Sequence, residues 1–239
     1  MSCSYFILSK DKMLNTTNNS KDNLVSIQDS INYILPRNLL NCYFNDGLFE
    51  SGLIEWSKQF CHTNKNILDI GAHTGTYSLS MASKCKHIFA FEPQKMTYYA
   101  LCGSVALSNC KNITCINKGL GSSEQLGTIT LNIISNDGGG STVKSVESQN
   151  LLATEEIEII TLDSMNLSNI SFIKIDVEDN EKAVIEGGIE TIKRCNYPHI
   201  LFECNNKYLH QDLFSLLKAL GYNITPIAGM NNMYLAHKK

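Results

Sequence analysis

A surplus of positive charge is absent from this chain: 20 lysines and arginines face 23 aspartates and glutamates, for a net charge of −3. A general nucleic-acid binder needs a basic field, because neutralising phosphate dominates its affinity, so the balance argues against that class. Paired cysteines are absent too. The nine cysteines stand at positions 3, 42, 61, 85, 102, 110, 115, 195 and 204, with no Cys-x-x-Cys and an odd total. That disfavours a zinc site and a disulfide framework. Reduced, mostly buried thiols of a cytosolic protein are the expectation. Long apolar runs are missing as well. Tyr5-Phe6-Ile7-Leu8 is the single early one, too short for a signal-peptide core, and no later run reaches spanning length. A cytoplasmic location without a membrane partner is therefore expected, and the Asn-x-Ser/Thr triplets at Asn112 and Asn169 read as chance. What is present is 43% hydrophobic against 18% charged residues, the balance of a folded globular chain and not of a disordered or fibrous one. A chain of this length can bury one substantial core.

Residues 1–23 read as a flexible lead-in and 24–65 as a helical cap. Ile27, Ile31, Ile34 and Leu35 recur at helical spacing up to a break at Pro36, and a second helix is predicted from Ser51 to Phe60. From Asn66 the pattern changes. Strands are predicted at 66–70, 87–91, 112–117, 172–177, 199–204, 222–227 and 233–237, with helices at 75–84, 94–108, 181–194 and 208–220 between most of them. Apolar strands alternating with helices give a mainly parallel sheet covered on both faces, here of seven strands. The last two strands are joined by a turn too short for a helix, so a hairpin places one antiparallel strand in the sheet. Residues 66–239 thus form one doubly wound α/β domain. An insertion at 119–162 holds two further strand-like segments, 128–134 and 156–162, around the loop Asn136-Asp-Gly-Gly-Gly-Ser-Thr142. That loop is either a functional cover or a simple flexible link.

Ligands of such sheets bind beyond the carboxyl ends of the strands. After the first of the seven strands comes Asp69-Ile-Gly71-Ala-His73-Thr-Gly75. Glycines here let backbone approach a ligand, and the following helix offers free N–H groups. A dinucleotide site would carry Gly-x-Gly-x-x-Gly, and a P-loop Gly-Lys-Ser/Thr; neither is present. Asp69 would repel a pyrophosphate and attract an ammonium, which favours S-adenosylmethionine, a nucleoside cofactor with an amino-acid tail and no phosphate. The second strand ends at Glu92-Pro93, suited to hydrogen-bond ribose hydroxyls. The third ends near Asn117, where an adenine would lie. The candidate cofactor residues are Asp69, Gly71, His73, Gly75, Glu92 and Asn117, with His73 equally readable as a loop brace.

These motifs resemble a known family. Leu68-Asp-Ile-Gly-Ala-His-Thr-Gly75, Phe89-Ala-Phe-Glu-Pro93, Thr161-Leu-Asp163 and Phe172-Ile-Lys-Ile-Asp-Val-Glu178 with Glu181 are similar to the FkbM methyltransferases, as is the leading segment Phe44-Asn-Asp-Gly-Leu-Phe-Glu50. The resemblance implies a class I methyltransferase Rossmann-like fold and methylation of hydroxyl groups on sugars or other small molecules. One position departs: the family's Asp-Val-Glu-Gly-x-Glu is Asp176-Val-Glu-Asp179-Asn-Glu181 here. Aspartate tolerates positive φ better than most residues and can cap the following helix.

Methyl transfer to an alcohol needs alignment and removal of a proton. Asp176, Glu178 and Glu203 are the candidate catalytic residues. Asp176 could instead cap the following helix, and Glu203 could form a structural ion pair. Asp176, Glu178, Asp179 and Glu181 together could hold a divalent cation, the less favoured alternative. Glu50 and the 135–142 loop would close the site. Trp56, the single tryptophan, is expected in the core of the cap and not as a sugar platform. The reading is an S-adenosylmethionine-dependent O-methyltransferase acting on a sugar or small-molecule hydroxyl, without a nucleic-acid partner. Its rivals are a methyltransferase of RNA or protein and a catalytically silent adenosine-type binding module.

Overall fold

The computed structural model describes residues 5–9, 31–39, 42–43, 47–205 and 207–238. In chain order the strands are β1 (Tyr5–Ser9), β2 (Asn32–Pro36), β3 (Asn66–Ile70), β4 (His87–Phe91), β5 (Ile113–Ile116), β6 (Gly119–Leu120), β7 (Gly127–Ile133), β8 (Ala153–Ile160), β9 (Ile170–Ile175), β10 (His199–Glu203), β11 (Asn223–Pro226) and β12 (Met233–His237). The helices are α1 (Ser51–Ser57), α2 (Thr76–Met81), α3 (Lys95–Leu107), α4 (Glu181–Glu186), α5 (Ile189–Arg194) and α6 (Lys207–Ala219). Among the described residues no helix is long and apolar enough to cross a membrane.

A seven-stranded sheet in the order β11-β12-β10-β9-β3-β4-β5 forms the centre. Its pairs are parallel except those of β12, which runs antiparallel to β10 and β11, as the short final turn predicts. The chain starts the sheet at β3, builds outward through β4 and β5, then returns to β9 on the other side. Strand order therefore reverses between β3 and β9, and a crevice opens beyond their carboxyl ends.

Alternation along the strands sorts two cores. Ile67, Ile88, Ala90, Phe172 and Leu201 face one side with Leu79 and Met81 of α2 and Leu101 of α3. Leu68, Ile70, Phe91, Ile173, Ile175 and Phe202 face the other with Val184, Ile192 and Leu217 of α4, α5 and α6. All six residues of β9 are buried, as a central strand covered on both faces requires. Asp163 caps from outside its helix: it accepts the amides of Thr191 and Glu190 at 2.7 and 3.1 Å, tying α5 down.

The cap is only partly helical. Helix α1, continued by a single turn of 3₁₀ helix at Lys58–Phe60, lies where a helix was expected. Ile34 and Leu35 instead belong to β2, which pairs antiparallel with β1 from inside the expected lead-in; Ile27 lies outside the described residues. Tyr33 and Leu35 are fully buried while Ile34 is half-buried, and a short apolar run cannot be told from a helix by periodicity alone. Trp56 is not core: it is 38% exposed and meets Phe60 edge-on at 5.0 Å. The insertion folds as expected into two strands, β7 and β8 pairing antiparallel, with β6 added to form a separate three-stranded sheet.

Candidate active site

A cavity of about 400 Å³ occupies the crevice at the strand-order reversal, a volume within the range of small-molecule sites. The turns after β3, β4 and β9 form its floor. Leu120, Leu131, Ile157 and Ile159 supply an apolar wall from the insertion, and the 137–141 loop roofs it. Tyr43, Phe49 and Glu50 close one side.

The glycine turn works differently from the expectation at two positions. Gly71 lines the cavity at φ +74°, and a Cβ there would lie 1.8 Å from the Asp176 carbonyl oxygen. The close approach is thus between two backbones, the turns after β3 and β9. Gly75, at φ +93°, is off the cavity wall, and its missing side chain makes room for Leu101, 2.7 Å from where a Cβ would stand. Asp69 does not face the cavity either. It is 2% exposed, and its Oδ2 accepts the Ser78 amide at 3.0 Å and the Ser78 hydroxyl at 2.6 Å. Its other oxygen lies 3.8 Å from the Lys174 ammonium. Asp69 fastens α2 to the sheet, and direct capture of a ligand ammonium is left to other groups.

Glu92 lines the cavity and is almost fully buried. Its Oε2 accepts the His73 amide and its Oε1 the Gln94 amide, each at 2.9 Å. Burial nevertheless pushes its carboxyl up to about 7. Each oxygen keeps acceptor capacity toward the cavity. His73, at φ +52°, is both cavity wall and brace: its Nε2 donates to the Asp137 carbonyl at 2.7 Å, and burial holds the ring below the usual histidine range. Asn117 is a scaffold residue. Both hydrogens of its side-chain amide go to the carbonyls of Glu92 and Pro93, at 2.9 Å each, and the wall beside it is Lys118, Gly119 and Leu120.

The three acids proposed for catalysis come together. Carboxylate oxygens of Asp176, Glu178 and Glu203 all lie within 4.8 Å of one another. Asp176 and Glu178 line the cavity, whereas Glu203 stands beside them off the cavity wall. Glu178 is held by the loop above: its Oε1 accepts the Gly140 amide at 3.1 Å, and its carbonyl accepts the Thr142 hydroxyl at 2.7 Å. The four-acid group of Asp176, Glu178, Asp179 and Glu181 does not form. Glu181 is buried and turned back onto the Val177 amide, 3.1 Å away. Asp179 takes φ +72°, the backbone conformation a glycine would supply, and Glu178 before it takes φ +52°, so the loop keeps a left-handed bend despite the substitution.

Two residues outside the expected set complete the site. Lys174, 5% exposed, donates to the Gly71 carbonyl at 2.6 Å, lies 3.3 Å from Asp176 Oδ2 and sits 5.3 Å from the Tyr77 ring centre. One ammonium thus joins the cofactor turn to the acid loop. Tyr77 donates its hydroxyl to Glu50 at 2.8 Å. The Lys174-x-Asp176 spacing signals the first contact, since alternate strand residues share a face. Nothing local signals Tyr77, whose partner is 27 residues earlier.

A family model described as the methyltransferase FkbM domain matches residues 69–224. No curated protein matches the sequence significantly. Among solved structures, an FkbM methyltransferase from Methylobacillus flagellatus KT is 16% identical with a TM-score of 0.53, covering 82% of this chain and 46% of its own. The present chain thus spans about half the length of that relative. A precorrin-6y C5,15-methyltransferase from Geobacter metallireducens GS-15 is 12% identical at a TM-score of 0.50, covering 82% of this chain and 92% of its own. A putative rRNA methylase from Clostridium thermocellum is 10% identical at 0.51, with 77% and 91% covered. At these identities the likeness is one of fold: the class I methyltransferase Rossmann-like fold.

Proposed function

The chain belongs to the FkbM methyltransferase family, and from that premise we propose that it moves a methyl group from S-adenosylmethionine to an uncharged hydroxyl of a sugar, glycan or other small molecule. The cofactor supplies an electrophilic methyl on a sulfonium. The cavity fits such a group: it combines an apolar wall with a buried carboxylate, Glu92, that already receives two backbone amides and can accept ribose hydroxyls as well. Gly71 and His73 line the turn that would hold the remainder, and Leu120, Ile157 and Ile159 would pack on the base. Asp176, on the wall and beside Lys174, is placed to take the proton of an acceptor hydroxyl.

The charge of the wall supports the nature of the acceptor. Glu50, Glu92, Asp137, Asp176 and Glu178 line the cavity, against Lys118 and Lys174. Both lysines are already ion-paired, to Glu158 and Asp176 respectively. The sequence holds only two arginines, Arg37 and Arg194, and neither is on the wall. Phosphate groups are recognised chiefly by arginine forks and free lysines. A neutral hydroxyl compound meets no such barrier here, whereas RNA or a sugar phosphate would be repelled.

Calorimetric titration of S-adenosylmethionine into the intact protein tests the first half. A micromolar-range dissociation constant is expected, weakened at least tenfold by Glu92→Ala, and absence of binding heat would sink the reading. Transfer of labelled methyl to neutral saccharides, matched against their phosphates and against RNA, tests the second. Preferential labelling of the phosphorylated compounds or of RNA would overturn it.

A further inference from the structure

We propose that Glu203 holds a proton beside the Asp176 carboxylate before the cofactor binds and releases it when the positive sulfonium of S-adenosylmethionine arrives, which strengthens Asp176 as the base. The inference rests on the methyl-transfer reading above. It concerns Glu203, which touches neither the cavity nor any ligand within it and is therefore a positioning residue.

Geometry carries the idea. Glu203 ends β10 beside Asp176, which follows β9, and carboxylate oxygens of the two lie within 4.8 Å of each other. Two carboxylates this close and partly buried repel each other when both are ionised, which favours one proton on the pair. The Lys174 ammonium lies on the Asp176 side, 3.3 Å from Oδ2, which favours the charge there and the proton on Glu203. Every other charged group facing the pair pushes toward keeping that proton. Glu178 comes from the same loop as Asp176, Glu181 from the start of α4 and Asp69 from β3, with Asp179 beside Glu178 and Glu50 beside Lys174. His73 is held neutral by burial, and the Tyr77 phenol is engaged by Glu50. Burial and the neighbouring acids push Glu203 up to about 8, consistent with a proton held at neutral pH.

Gly71 abuts the Asp176 backbone, so a cation held against the cofactor turn lies beside a pair that has only Lys174 for compensation. A cation there favours the doubly ionised pair, and one proton leaves to solvent. Asp176 then takes the acceptor's hydroxyl proton as the oxygen–methyl bond forms and the sulfur–methyl bond breaks, the electron pair of the latter staying on sulfur. The positive charge disappears in that step, and the pair is again singly protonated. Charge and protons balance over the cycle without a further acid or base.

The test needs no acceptor. S-adenosylmethionine and S-adenosylhomocysteine differ at this point by the sulfonium methyl and its charge. Each is titrated calorimetrically into the full chain near pH 7, with chelator present, in buffers of different ionisation enthalpy. Release of roughly half a proton or more with S-adenosylmethionine, and much less with S-adenosylhomocysteine, is expected from linkage at a site that titrates near this pH. Glu92 meets both ligands alike, so the difference isolates the charge. Glu203→Gln should abolish that difference. Should this variant fold poorly, the wild-type affinity ratio of the two ligands serves instead: it should rise severalfold from about pH 6.5 to 8.5, following reciprocal linkage. Equal proton release by the two ligands, a flat ratio, or a difference that survives in a folded Glu203→Gln protein would overturn the proposal. Failure of both ligands to bind would overturn the cofactor reading itself, and this inference with it.

Discussion

Gly71 shows how much one residue can decide in this molecule. Its φ of +74° is unfavourable for any side chain, and the space a Cβ would need is filled by the Asp176 carbonyl 1.8 Å away. Left-handed backbone alone costs about 1–2 kcal/mol for an L-residue, and a collision with fixed backbone adds to that. Gly71→Ala is expected to lower stability by about 3 kcal/mol or more, measured by urea denaturation, and to lose cofactor binding because the turns after β3 and β9 must part. A variant as stable as the parent would show that the turns are not held this close in solution. The neighbouring Gly75 and Asp69 carry the same motif with a different duty. One opens space for Leu101, and the other locks Ser78 at the start of α2. A motif that reads as ligand-binding is here largely the framework that aims a ligand-binding turn.

The hairpin of β1 and β2 shows what an element can hide from its sequence. It is fastened to α3 by serine hydroxyls: Ser104 Oγ accepts the Ile34 amide at 2.8 Å, and Ser108 Oγ accepts the Asn32 amide at 2.8 Å. Gly103 lies under Ile34, where a Cβ would come within 2.4 Å of the Ile34 Cδ1. Ile31, Ile34 and Leu35 mimic a helical stripe, yet their real partners are in β1 and in a helix some 70 residues later. Ser104→Ala strands a partly buried amide and should cost about 1–3 kcal/mol, with the loss confined to the hairpin in hydrogen exchange. Uniform loosening of the whole sheet would contradict that local role. The 135–142 loop is an element of the same sort. Its glycines are plain in the sequence, but only the fold brings Gly140 to Glu178, and Asp137 to His73.

Over the whole molecule, burial of acidic groups around the cavity leaves a measurable trace. Glu92 and Glu181 are both pushed up to about 7 by burial. The folded chain therefore holds protons that the unfolded chain releases between about pH 4.5 and 7, so this contribution is full below that window and lost as pH rises through it. For Glu92 the loss amounts to about 3 kcal/mol. His73, held down by burial, acts oppositely, because its contribution is lost as pH falls below about 6.5. A comparison of variants separates the two: Glu92→Gln should gain stability relative to the unliganded parent between about pH 5 and pH 8. A stability difference that stays constant across that range would show that Glu92 ionises normally in the fold.

The sequence by itself determined the seven-stranded α/β sheet, its single antiparallel strand and the family. Each depends on local alternation, turn length or contiguous motifs, which a linear pattern records. It also named the acids that meet on and behind the cavity wall, because residues ending strands of such a sheet converge on one edge. Tertiary structure alone decided which of the motif residues face the cavity and which brace it. It placed Glu92 and Asp176 on the wall, Asp69 and Asn117 behind it, and Glu203 one step further back. It also made Lys174 the link between the two halves and turned part of the expected helical cap into a hairpin. Facing and bracing depend on contacts between residues tens of positions apart, and no local periodicity encodes those distances.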